Sequence, residues 1–219
     1  MNFSTLSTLF DWHLAIRALP NVLLGLPMSI FLTVISFSIA MVVGVLLTLA
    51  RLSKYRLLSG FARAYVSFLR GVPLLVMLFI VYFGFGADAL PAAIIAFTLG
   101  CSAFVSEVFR SAFLGVEKVQ IESAFSLGMS YSKAIRYVIL PQAFRIAIPA
   151  LGNIVIDLFK GTSLAAMITV SEMFMQAKII AGANQDYMTL YILIAIIYWA
   201  CCEVISIGQN LLEDHLTYA

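Results

Sequence analysis

The sequence predicts an all-α integral membrane chain of about five transmembrane helices with a helical loop on its cytoplasmic side. Three observations lead there. Hydrophobic residues make up 63% of the 219 positions and charged ones only 11%, with a mean hydropathy of +1.04, whereas a soluble domain is about one quarter charged. Residues 26–50 run for 25 positions without a charge, which as a helix reaches roughly 37 Å and crosses a hydrocarbon core of about 30 Å with tilt. Ten of the thirteen basic residues gather around two of the four connections between apolar blocks.

The predicted spans are roughly 22–50, 58–86, 91–114, 146–171 and 187–212. RLSKYR at 51–56 closes the first block. Within 57–70, Arg56, Arg63 and Arg70 recur every seven residues and share one helical stripe, the pattern of an interfacial helix entering a span. GVPLLVMLFIVYFGFG at 71–86 carries it into the membrane, and GADALP turns it near Asp88 and Pro91. The third span is interrupted by Glu107 and Arg110, and the fourth holds Asn153, Asp157 and Lys160. Residues 172–186 read as a loop before the last span.

Basic connections belong in the cytoplasm. Arg51, Lys54, Arg56, Arg63 and Arg70 mark the first connection, and Arg110, Lys118, Lys133, Arg136 and Arg145 the third. The expected topology therefore has the N-terminus outside, the C-terminus inside and the segment 117–145 in the cytoplasm. One membrane domain is expected over 1–219.

The same composition excludes several classes. A net charge of +2 without a Lys/Arg run gives no footing for nucleic acid. Cys101, Cys201 and Cys202 lie in apolar runs with no Cys-x-x-Cys, and no His/Cys set has metal-ligand spacing. The first residues, MNFSTLSTLFDWH, lack a basic region and a cleavage signature and do not read as a cleaved signal peptide. A membrane enzyme would need a nucleophile or base near the membrane face, but His13 and His215 are terminal and neither HExxH nor Gly-x-Ser-x-Gly occurs. A passive pore would have no use for a punctuated cytoplasmic segment.

That segment contains ESAFSLGMSYSKAIRYVILPQAF, residues 122–144. Glu122 to Leu127 is helix-compatible, Gly128 breaks it, and Ser130 and Ser132 can cap a second helix. Pro141 marks the return toward the membrane. The pattern is a helix–Gly–helix module at the membrane face, and by periodicity alone a plain interfacial connector fits it as well.

Three motifs add a resemblance. Glu122-Ser123-Ala124, Gly128 and Ile139-Leu140-Pro141 resemble the EAA loop of ABC importer membrane subunits, with Ser123 in place of the usual alanine. SFLRGVPLL at 67–75 and LFKGTSLAAMI at 158–168 are similar to motifs of the polar amino-acid uptake branch, including the cystine, glutamine and histidine permeases. The resemblance covers about residues 20–212. It implies a multi-pass permease of the bacterial cytoplasmic (inner) membrane, surrounded by lipid. It also implies docking of the Glu122–Gly128 helix into a separate ATPase, with Tyr131 as an anchor and Leu140 and Pro141 closing the motif. Two ATPase copies, a second permease copy or sister permease, and an extracytoplasmic amino-acid-binding protein complete such an importer. ATP and Mg would be bound by the ATPase, since GxxxxGK[ST] is absent here. The similarity of 163–180 to cystine permeases makes L-cystine the expected substrate.

Asn153, Asp157 and Lys160 fall at i, i+4 and i+7, on one helical face. Each charge at mid-bilayer costs about 2.5–3.5 kcal/mol on insertion scales, so the pair needs a reason. One reason is a pocket in which Asp157 meets an ammonium and Lys160 a carboxylate, with Asn153, Thr162 and Ser163 hydrogen-bonding. The other is that Asp157 and Lys160 neutralise each other or pair across a dimer seam. Lys160, Thr162 and Ser163 are motif positions in the resemblance; Asp157 is not. Glu107 is either a further substrate group or an ion-pair partner of Arg110. Pro149, Gly152 and Gly161 either loosen the fourth span or permit close packing.

Overall fold

The structure is a computed structural model and describes residues 10–218. Among these the chain is helical wherever it is regular, and four helices are long and apolar enough to cross a membrane, five when one bent pair counts as a span. In chain order the helices are α1 Trp12–Leu23, α2 Leu26–Leu52, α3 Arg56–Gly71, α4 Leu74–Phe79 with a π-helical turn Ile80–Gly84, and α5 Ala89–Gly115. There follow α6 Lys118–Ser126, α7 Tyr131–Ala134 with a π-helical turn Ile135–Ile139, α8 Leu140–Gly161 with a 3-10 turn Thr162–Ile168, α9 Met173–Asn184, and α10 Tyr187–Tyr218. The described residues divide into two compact units, one of 10–36, 74–97 and 156–205, the other of 37–73, 98–155 and 206–218.

In the first unit, Asp11 starts α1 by accepting from the backbone N–H of His13 and Leu14, and the Leu14 bond above all holds its carboxyl below the ordinary value of 3.8. Helix α1 buries Ala15, Ala18 and Val22 against Ala177 and Ala181 of α9. Small residues on both sides let the two backbones approach. The first span therefore begins at Leu26 rather than 22, because a corner at Gly25 separates it from α1. A Cβ on Gly25 would lie 2.4 Å from the Met173 nitrogen and 2.5 Å from the Glu172 carbonyl carbon, so only glycine fits this corner.

The predicted loop at 172–186 is instead helix α9. Its cap residue, Glu172, is an uncommon cap, and its C-terminus stops on Gln185 in the left-handed region (φ 55°) rather than on glycine. Both end signals are thus atypical.

In the second unit, α2 and α5 cross tightly where Gly44 meets Val105 and the Ser102 carbonyl. Thr48 hydroxyl donates to the Ser106 carbonyl at 3.1 Å, and the hydroxyls of Tyr65 and Ser102 pair at 3.3 Å. On α8, a Cβ at Gly152 would lie 2.2 Å from the Gln209 side chain, whose Nε2 donates to the Pro149 carbonyl at 3.1 Å. The helix continues through Pro149, so Gly152 and Pro149 serve close packing against α10.

The second predicted span, 58–86, is broken into α3 and α4 at Val72–Pro73. Pro73 disfavours helical geometry at the preceding residue, and Val72 is extended (φ −92°, ψ 128°). Pro141, by contrast, does not end its helix. The turn before it widens so that Leu140 N–H reaches the Ile135 carbonyl, five residues back, and the helix runs on from Tyr131 to Ile168.

Candidate functional site

The punctuated segment lies wholly in the second unit. Helix α6 packs against α7 and its π-turn, burying Ala124 and Ala134. Gly128 (φ +76°) ends α6: Met129 N–H reaches back to the Ala124 carbonyl at 3.1 Å and Gly128 N–H to Phe125 at 2.9 Å. This is a Schellman-type stop that requires a left-handed residue. Ser130 takes the extended cap geometry at the start of α7, but no side-chain cap bond forms.

What this turn holds outward is Glu122, Ser123, Gly128, Leu127 (81% exposed) and Tyr131 (69% exposed), with Leu140 and Pro141 exposed farther along. Ala124 alone of the Glu-Ser-Ala triplet faces in. The arrangement is a short knuckle with apolar side chains exposed at its tip.

Glu107 stands in an arginine cluster of the same unit. Its carboxylate pairs with Arg51 at 2.8 Å, Arg70 at 3.6 Å and Arg110, and Arg70 also lies over the Phe104 ring. Both carboxylate oxygens are engaged, which is the geometry of an ion pair tying together the ends of α2, α3 and α5.

On α8, Asp157 and Lys160 pair at 2.8 Å while remaining 74% and 55% exposed at the side chain, and Asn153 is exposed one turn before them. Thr162 and Ser163 turn back: their hydroxyls donate to the carbonyls of Phe159 at 2.7 Å and Lys160 at 2.8 Å, and Thr162 is buried.

Sequence reasoning missed the most buried acid. Glu172 is 0% exposed in the first unit. Its carboxylate accepts from the N–H of Phe174 at 2.9 Å and Met175 at 2.7 Å, from Tyr198 hydroxyl at 2.8 Å, and from Ser29 hydroxyl at 3.5 Å. It thereby joins α2, α9 and α10. An acid between two apolar blocks was the available signal. Among the described residues no three His, Cys, Asp or Glu side chains gather as a metal-binding set.

A family model described as "Binding-protein-dependent transport system inner membrane component" matches residues 40–218. The chain is 49% identical over 210 residues to the probable amino-acid ABC transporter permease protein YckA of Bacillus subtilis (strain 168), covering 94% of this chain and 93% of that one. It is 42% identical to the L-cystine transport system permease protein TcyB of the same organism, covering 97% and 94%. Among solved structures, the crystal structure of an amino acid ABC transporter with histidines matches with TM-score 0.89 and 32% identity, covering 94% and 98%.

Proposed function

The chain belongs to the family of binding-protein-dependent transport system inner membrane components, and from that premise we propose that it is the permease of an ATP-driven importer for a polar amino acid, L-cystine favoured. It is a transport subunit and a multi-pass protein of the bacterial inner membrane. Its identity to an L-cystine permease and to a probable amino-acid permease supports the substrate class. We infer two ATPase copies that bind ATP and Mg, a second permease copy or sister permease, and an extracytoplasmic binding protein as its partners.

The observation that carries the coupling part is the knuckle at Gly128, with Ala124 packed inward and Leu127 and Tyr131 exposed. An amphipathic element that offers apolar tips at a rigid turn suits a partner cleft. The exposed Asp157–Lys160 pair favours a water-filled or partner-covered face on α8, since charges facing lipid are costly. That face, with Asn153, is the proposed substrate-side surface of the permease.

The test is a mild-detergent pull-down of the tagged chain from its native membrane, followed by uptake in vesicles. Wild type should bring down ATPase activity and take up labelled cystine in preference to glutamine and arginine. Gly128→Trp places a side chain at φ +76° and should insert normally yet lose bound ATPase and uptake. Normal uptake by that variant would sink the coupling reading. Equal uptake of all three amino acids would remove cystine as the favoured substrate.

A further inference from the structure

We propose that an anionic phospholipid binds at the junction of α2 and α3, with an acyl chain in an apolar groove and its phosphate on Lys54 and Arg56. A groove of about 580 Å³ opens there, within the second unit, lined by residues of α2 from Val43 to Ala50 and by Leu58, Phe61 and Ala62 of α3. From Val43 to the end of α2 is roughly 14 Å of helix, long enough to lie alongside much of an acyl chain. The lining is apolar except at one end, where Ser53 and Tyr55 alternate in sequence with Lys54 and Arg56.

The charges decide the occupant. No Asp or Glu occurs between Asp11 and Asp88, while Arg51, Lys54, Arg56, Arg63 and Arg70 fall in this stretch. Arg51 and Arg70 are held by Glu107, and Arg63 donates to Ser59 of its own helix at 3.1 Å. Lys54 and Arg56 are exposed and have no ion-pair partner among the described residues. Two free cations next in sequence to the residues at the polar end of an apolar groove complement a ligand with one anionic and one long apolar part. Tyr55, 77% exposed, suits the headgroup level, where amphipathic rings concentrate. A zwitterionic lipid would fill the groove equally but would leave the cations without net compensation. Basic side chains near an anionic membrane surface each add to its attraction.

The experiment is native mass spectrometry of the intact chain in mild detergent, titrated with phosphatidylglycerol and phosphatidylcholine. Wild type should retain phosphatidylglycerol in preference. In Lys54→Gln/Arg56→Gln, at exposed positions that leave the packing alone, the preference should fall by about thirtyfold. Ala50→Phe fills the groove and keeps both charges, and should lower retention of both lipids without changing their ratio. Equal retention by wild type, or an unchanged ratio in the charge variant, overturns the proposal. Displacement by excess inorganic phosphate would make the cations a free-anion site, and disulfide crosslinking of Leu58→Cys to a second copy would make the groove a chain–chain interface. Either result also overturns it.

Discussion

Glu172 is the side chain on which most depends. Its four donors come from the α9 backbone, α10 and α2, and Gly25 presses against the peptide that follows it. Glu172→Ala leaves buried donors without acceptors, at about 1–3 kcal/mol for each group left unpaired. Thermal unfolding in detergent should therefore shift downward far more for Glu172→Ala than for Glu172→Gln, which keeps one acceptor oxygen. Gly25→Ala should be as damaging as Glu172→Ala, since the obstructing atoms are backbone and cannot step aside. Equal unfolding temperatures for all four chains would contradict this. The turn at Gly128 was legible in the sequence because glycine is the residue a left-handed stop requires. The role of Glu172 was not, because two of its four partners, Tyr198 and Ser29, are 26 and 143 residues away in the chain.

Among the elements, the apolar runs were long and continuous enough to locate α2, α5 and α10 to within a few residues. Helix α9 escaped because neither of its ends carries an ordinary signal, and α1 because its second half merges into the uncharged run 18–50, in which no charge marks the corner at Gly25. The bend at Val72–Pro73 was written in the proline, but its angle depends on packing. Element pairing makes its own prediction. Gly44→Ala would put a Cβ 2.5 Å from Val105 Cγ1 and should cost about 1–3 kcal/mol through overpacking. Val105→Ala in the same chain should restore part of that loss. A double-mutant cycle on unfolding temperature would show the coupling as a non-additive term, and strict additivity would place the two helices apart.

For the whole molecule, the distribution of cations predicts which connections face the cell interior. In a chain whose three native cysteines are replaced, a single cysteine at Lys54 or Gly128 should resist an impermeant thiol reagent in intact cells. One at Ala87 should react. The opposite pattern would invert the topology. The identity of the candidate substrate face was only half legible: spacing put Asn153, Asp157 and Lys160 on one side of a helix. That Thr162 and Ser163 spend their hydroxyls on the backbone leaves no trace in residue type or spacing.

The helix that begins at Tyr131 runs without a break past Pro141 and Pro149, so within the second unit it sets the register between the Gly128 knuckle and Asn153. A single-residue insertion anywhere along it would swing everything downstream by about 100° and advance it by about 1.5 Å. Its length is therefore a fixed gauge: an exposed side chain on it can change without moving its neighbours, but its residue count cannot.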